Sequence, residues 1–158
     1  MLKDYIPWLK QALRQKPGYL HLKHFYLFRD LNPFELYLVN NCLHQREYQA
    51  GEVIFEEDYP LEAVLFIQAG EIEVRGKLSE PNGTILRKHH FIGLIDLFLE
   101  NKRSSSAKAL TPVTVLALSK NDLWDLIDHE RRLGIKLLKA ACRFNSRFVF
   151  DFISANRA

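Results

Sequence analysis

The sequence predicts an α+β protein in which short antiparallel strands, arranged as a sandwich or roll, lie between N-terminal helices and a long C-terminal helix. Three observations carry this. From Tyr48 to Leu118 the chain is a series of short β-rich runs separated by glycines. On both flanks the apolar residues recur at helical spacing. From about Glu130 onward the helical pattern continues to the end of the chain.

The first helical segment covers residues 4–16, where Ile6, Leu9 and Leu13 share one face with Trp8 and Ala12 beside them. Pro17-Gly18 ends it. A second short apolar segment runs from Tyr19 to Leu31. Asn32 then caps a helix with Pro33 at its first position, and Glu35 stands where a capping box requires it. The pattern predicts that this helix runs through about Leu43.

The strand runs are Val53 to Phe55, Ala63 to Ile67, Ile72 to Val74, Thr84 to Leu86 and Val113 to Leu118. Gly51, Gly70, Gly76 and Gly83 fall between them, where turns need positive φ or a close backbone approach. Glu71 to Arg75 alternates as a half-buried strand does, and Pro81-Asn82-Gly83 reads as a hairpin tip. Many short strands at such spacing imply a sandwich or roll.

Beyond Ser119, which can cap a helix with Asp122 at its third position, Leu123, Leu126 and Ile127 supply an apolar face. In the last helix Leu133, Leu137, Ala141, Phe144 and Phe148 form a seam, and Val149 and Phe152 extend it. Gly134 marks a candidate bend. Phe144, Phe148, Phe150 and Phe152 exceed what one face needs, which points to a self-association or partner surface unless they pack on the N-terminal helices.

A chain of 158 residues fits a single domain, with 47% apolar and 26% charged residues, as in soluble globular proteins. No apolar run approaches the length that spans a bilayer, and the N-terminus lacks a secretory signal, so a cytoplasmic location is expected. Cys42 and Cys142 form no metal-ligand pair and are expected to be buried thiols. The formal net charge of +3 is modest. Arg131, Arg132, Lys136, Lys139, Arg143 and Arg147 point at several helical angles, as on a solvated surface rather than a nucleic-acid stripe.

Catalytic signatures are missing: there is no Gly-x-Ser-x-Gly elbow and no Gly-rich Lys-Ser/Thr phosphate loop. Adjacent His89 and His90 would point to opposite sides of a strand, and His21 and His24 supply two ligands at most. Neither an enzyme nor a metal site is expected, and no cofactor.

The informative segment is residues 89–109, HHFIGLIDLFLENKRSSSAKA. A short strand ends at Phe91-Ile92, Gly93 permits a tight turn, and residues 94–99 can form a short helix with free N–H groups at its start. Arg103 follows with Ser104, Ser105 and Ser106. Amides, a guanidinium and hydroxyls together suit an anion or phosphate; an ordinary polar loop reads the same way.

In its surroundings this segment resembles the phosphate-binding cassette of cyclic-nucleotide-binding domains of the catabolite-activator type. Ile92-Gly93, Leu97, Arg103 to Ser106 and Ala109 match the cassette. Ala50-Gly51-Glu52-Val53-Ile54-Phe55 and Val64 through Val74 match two further glycine-centred motifs in the right order. The resemblance spans about residues 25–150. It implies an antiparallel β-roll of double-stranded β-helix (jelly-roll) type, with N-terminal helices over 1–44, the roll over 45–118 with its cassette at 91–109, and C-terminal helices over 119–158.

It also implies roles. Arg103 would pair with the cyclic phosphate, Ser104 would hydrogen-bond it, and backbone amides near Ile95 and Asp96 would complete the cradle, with Gly93 and Leu94 as the other ligand-binding positions of the cassette. Arg143, Asn145 and Ser146 on the last helix are candidate base contacts. Arg103 has ordinary alternatives: a surface arginine, or one paired with Asp96 or Glu100.

Two departures weigh against ligand binding. The cassette glutamate that takes the ribose 2′-hydroxyl in this family falls at Leu94, which accepts no hydrogen bond. Losing a charged acceptor forfeits about 1.5–3 kcal/mol, or roughly tenfold to a few hundredfold in affinity. The family's small residue at position 96 is Asp96, whose charge would repel a phosphate. The expectation is therefore a stand-alone regulatory sensor for a cyclic nucleotide, signalling through its C-terminal helices. The alternative is a degenerate, ligand-free interaction or oligomerisation module. A homodimer through the last helix is expected, and direct DNA binding is not, because no residues follow that helix to form a DNA reader.

Overall fold

The structure is a computed structural model that describes residues 7, 9, 18–77, 79, 81–100 and 102–155. The helix expected over residues 4–16 lies outside the described residues but for Pro7 and Leu9. In chain order the elements begin with two 3-10 turns, Gly18–His24 and Tyr26–Phe28, then α1 (Pro33–Asn41). The strands β1 (Leu43–Tyr48), β2 (Val53–Phe55), β3 (Ala63–Ala69), β4 (Ile72–Gly76), β5 (Thr84–Leu86) and β6 (Phe91–Ile92) follow. The last elements are α2 (Leu94–Phe98), β7 (Ser105–Ala109), β8 (Val113–Ser119), α3 (Lys120–His129) and α4 (Arg131–Ala155).

The chain divides into two compact units, one of helices (Met1–Cys42 with Asp125–Ala158) and one of strands (Leu43–Trp124). The division falls inside α3. The strand unit has two four-stranded antiparallel sheets, β1-β8-β3-β6 and β2-β7-β4-β5. Alternation fills the space between them. Ala63, Leu65 and Ile67 of β3, Val113, Val115 and Ala117 of β8, Ile72 of β4 and Ala107 and Ala109 of β7 form its buried core. The β-roll with flanking helices is the architecture the sequence implies.

Five strand runs appear where expected. β1 does not belong to that set: Leu43, expected as the end of a helix, instead pairs with Leu118 in a register that continues to Tyr48 opposite Val113. The cause is visible in its exposure. His44 to Glu47 all face solvent, so β1 carries no apolar alternation to betray it. At Gly70 the turn from β3 to β4 takes φ +90°, and a Cβ there would lie 2.3 Å from the Pro112 carbonyl oxygen. Only glycine fits that approach.

In the helical unit the capping box forms as predicted. Glu35 N–H donates to Asn32 Oδ1 at 2.9 Å, and Asn32 N–H donates to Glu35 Oε2 at 2.7 Å. The same buried Glu35 carboxylate accepts from Lys136 Nζ at 2.6 Å. Leu133, Leu137 and Ala141 are buried along α4 as the seam requires, and the Phe144 ring lies 6.0 Å from that of Tyr26. The seam stops there. Val149 and Phe152, expected to extend it, are 53% and 47% exposed, because no described residue of α4 beyond Ala141 is buried. α4 runs through Gly134 unbroken. A Cβ at Gly134 would lie 2.3 Å from the Ile127 carbonyl oxygen, so the glycine provides clearance between α3 and α4. Neither cysteine is in a disulfide; Cys142 is exposed on α4 rather than buried, and Cys42 is half-buried.

Candidate functional site

The cassette joins the two sheets of the roll. β6 pairs with β3 on one sheet, through Leu65 opposite Ile92 and Phe66 opposite Phe91. Gly93 then turns the chain at φ +101°, and α2 begins with Leu94. The first bond of this short helix runs from Leu97 N–H to the Gly93 carbonyl at 3.0 Å, so the amides of Leu94, Ile95 and Asp96 lie outside its ladder. After Arg103 and Ser104 the chain enters β7, which pairs with both β2 and β4 on the second sheet.

Arg103 is fixed at both ends. Its N–H donates to the Tyr59 carbonyl and its carbonyl accepts from Asp58 N–H, both at 2.9 Å, which ties the cassette to the loop between β2 and β3. Its side chain turns inward and is 5% exposed. Nη2 donates to the Ala63 carbonyl at 2.8 Å, and the guanidinium lies 4.0 Å from the centre of the Phe55 ring. Among the described residues Nε and Nη1 have no hydrogen-bond partner. Nη1 fills the space beside Gly93, where a Cβ would lie 2.6 Å from it.

Burial pushes the Arg103 guanidinium down to about 10, although the charges of Asp96, Glu62 and Tyr48 oppose the shift and Arg46 adds to it. The group therefore remains a cation at neutral pH. A buried cation with unmet donors is costly, and an anion placed against it removes both the charge penalty and the orphaned N–H groups.

The other cassette residues separate by environment. Leu94 is 2% exposed and Asp96 is 4% exposed, with Asp96 Oδ1 lacking a partner. Ile95 and Ser104 are half-buried. No ion pair forms between Arg103 and Asp96, nor with Glu100, which is exposed. Of the pairings the sequence left open, none is made, and a surface position for Arg103 is excluded. Phe55 and the Ala63 carbonyl are partners of Arg103 that sequence reasoning missed. Phe55 carried a signal as an aromatic in the first glycine-led strand, but a backbone acceptor carries none.

Arg143, Asn145 and Ser146 lie on α4, in the helical unit. Arg143 Nη1 reaches Asp30 Oδ2 at 3.4 Å, Asn145 Oδ1 is buried without a partner, and Ser146 is exposed. His89 takes φ +73°, and His90 Nδ1 accepts from Arg87 N–H at 2.9 Å. Among the described residues no helix is long and apolar enough to cross a membrane.

A buried arginine cassette closing an eight-stranded roll defines a class, and comparison with known proteins agrees. The cyclic nucleotide-binding domain family matches residues 45–130, more than half of the chain, and the chain belongs to that family. It is 30% identical over 112 residues to a protein assigned as a potassium channel in Rhodopseudomonas palustris, covering 70% of this chain and 27% of that one. It is also 30% identical over 95 residues to a cAMP-dependent protein kinase regulatory subunit of Aspergillus fumigatus, covering 60% and 23% respectively. The chain thus spans about a quarter of the length of these curated relatives. Among solved structures it is similar to the Thermus thermophilus catabolite activator protein (TM-score 0.64, 24% identity, 82% of this chain and 63% of that one). It is also similar to the regulatory subunit of a cAMP-independent protein kinase A from Trypanosoma brucei (TM-score 0.68, 17% identity, 93% and 53%). At these identities the solved structures speak for the fold alone.

Proposed function

We propose that this chain is a cyclic-nucleotide sensor with a regulatory rather than a catalytic role. The observation that carries the reading is Arg103. Its guanidinium is buried against Gly93 and Phe55, with Nε and Nη1 unpartnered, and a cyclic phosphate supplies the two acceptors they lack. Gly93, Leu94, Ile95 and Asp96 would line the phosphate cradle and Ser104 would add a hydroxyl. Arg143, Asn145 and Ser146 would meet the base, and the helices at 119–158 would carry the signal to a protein partner or a second copy. A ligand drives such a signal only by binding one arrangement better than another.

A second reading is favoured by Leu94, which is 2% exposed where the family's acceptor would stand. Under it the roll binds no nucleotide and serves as an interaction or oligomerisation module. Calorimetric titration with cyclic AMP, cyclic GMP and cyclic dinucleotides separates the two. Saturable heat that Arg103→Met abolishes supports the sensor, and no heat at high micromolar ligand rejects it. Leu94→Glu offers a further check, since an added acceptor strengthens binding only in a pocket that is otherwise intact.

A further inference from the structure

Arg103 and Asp96 pose a problem in charge and hydrogen bonding that an anion alone does not solve. Both are more than nine-tenths buried, and both keep polar atoms without partners: Nε and Nη1 on one, Oδ1 on the other. They are close enough for Asp96 to be the largest charge that favours the guanidinium cation, yet neither hydrogen-bonds the other. Gly93 precedes α2 and Asp96 lies in its first turn. Arg103 Nη1 lies beside Gly93, where a Cβ would be 2.6 Å from it. The cassette therefore holds unmet donors on Arg103 and an unmet carboxylate acceptor on Asp96.

A cyclic phosphate answers the donors but has no proton to offer the acceptor. In a 3′,5′-cyclic nucleotide the other two ribose oxygens are esterified, so the 2′-hydroxyl is the sugar's one remaining donor. It sits on the carbon next to the esterified 3′-oxygen, close to the phosphate. We infer that Asp96 accepts the hydrogen bond of the ribose 2′-hydroxyl, taking over the acceptor role that Leu94 cannot fill. The inference rests on the nucleotide reading of the cassette. It turns Asp96 from an obstacle to phosphate into the residue that selects ribose over deoxyribose.

The test uses the full chain, cyclic AMP and its 2′-deoxy analogue in calorimetric titrations. Wild type is expected to bind the deoxy analogue about ten- to a hundredfold more weakly, the loss of one hydrogen bond to a charged acceptor. Asp96→Ala is expected to weaken cyclic AMP by a similar factor and to bind both ligands alike. Asp96→Asn, which keeps the side chain's shape, guards against misfolding and is expected to show reduced discrimination. Equal affinity of wild type for both ligands overturns the role of Asp96 and leaves the sensor reading intact. Tighter cyclic AMP binding by Asp96→Ala also overturns it, because Asp96 then acts only by repelling phosphate. If wild type binds neither ligand, both the inference and the sensor reading fall.

Discussion

A methyl group at Gly93 would lie 2.6 Å from Nη1 of Arg103, so the arginine's inward position depends on the absence of a side chain ten residues earlier. Gly93 also holds φ +101°, which other residues rarely adopt. Gly93→Ala is expected to cost about 1–3 kcal/mol of stability through backbone strain and to push Arg103 off the Phe55 ring. Urea denaturation reads the first effect and nucleotide titration the second. A variant with unchanged stability and affinity would show that the cassette has room to spare.

Arg103 also sets a pH dependence. Its folded value of about 10 lies below the ordinary arginine range because burial disfavours the cation. Below pH 10 both folded and unfolded chains hold the proton, and the cost of burying the charge is fully present. From about pH 10 up to the ordinary arginine range the unfolded chain binds more protons, so this group's contribution to stability rises with pH. The neutral guanidinium is the weaker phosphate partner. Cyclic-nucleotide affinity is therefore expected to be flat across neutral pH and to fall above about pH 10. A fall near pH 7, measured by fluorescence titration, would point to a histidine instead.

Glu35 does two jobs with one carboxylate: it accepts from Asn32 N–H, which completes the capping box, and it receives Lys136. Glu35→Ala leaves the Asn32 side-chain cap in place but strands the Asn32 N–H and removes the partner of Lys136, for an expected loss of about 2–3 kcal/mol. Glu35→Gln keeps an acceptor and is expected to lose about 1 kcal/mol, since Lys136 is partly solvated. Thermal melts of the two variants should fall in that order.

The far part of α4 presents Val149, Phe150 and Ile153, exposed at 53%, 68% and 45%, at spacings that share one helical face. If the homodimer proposed for this helix forms there, Phe150→Ser with Ile153→Ser should yield a monomer with stability within about 0.5 kcal/mol of wild type. Sedimentation at tens of micromolar reads the state. A wild-type chain that is already monomeric removes the dimer.

The legible parts of this protein are those with a local cause. The capping box at Asn32 and Glu35 was readable because both partners lie within one turn. The strand runs from Val53 to Leu86 were readable from alternation and glycine turns. β1 was hidden because its exposed residues follow no apolar period, and only its pairing with β8 makes it a strand. The cassette was legible as a motif, and Arg103 as its cation. That Arg103 would face inward onto Phe55 and the Ala63 carbonyl was not, since both partners come from other strands and one is backbone. Asp96 read as a defect for the same reason: a residue's unmet hydrogen bond exists only in three dimensions.

The pairing of β1 with β8 has a consequence for how the chain comes into being. Leu43 meets Leu118 and Tyr48 meets Val113, so a strand near the start of the roll waits for one near its end. The same late strand also pairs with β3. Non-local pairing of this kind slows folding, because loop closure precedes any reward from contact. On the ribosome β1 and β3 therefore emerge with open edges and stay open until β8 is made, the interval in which such edges aggregate.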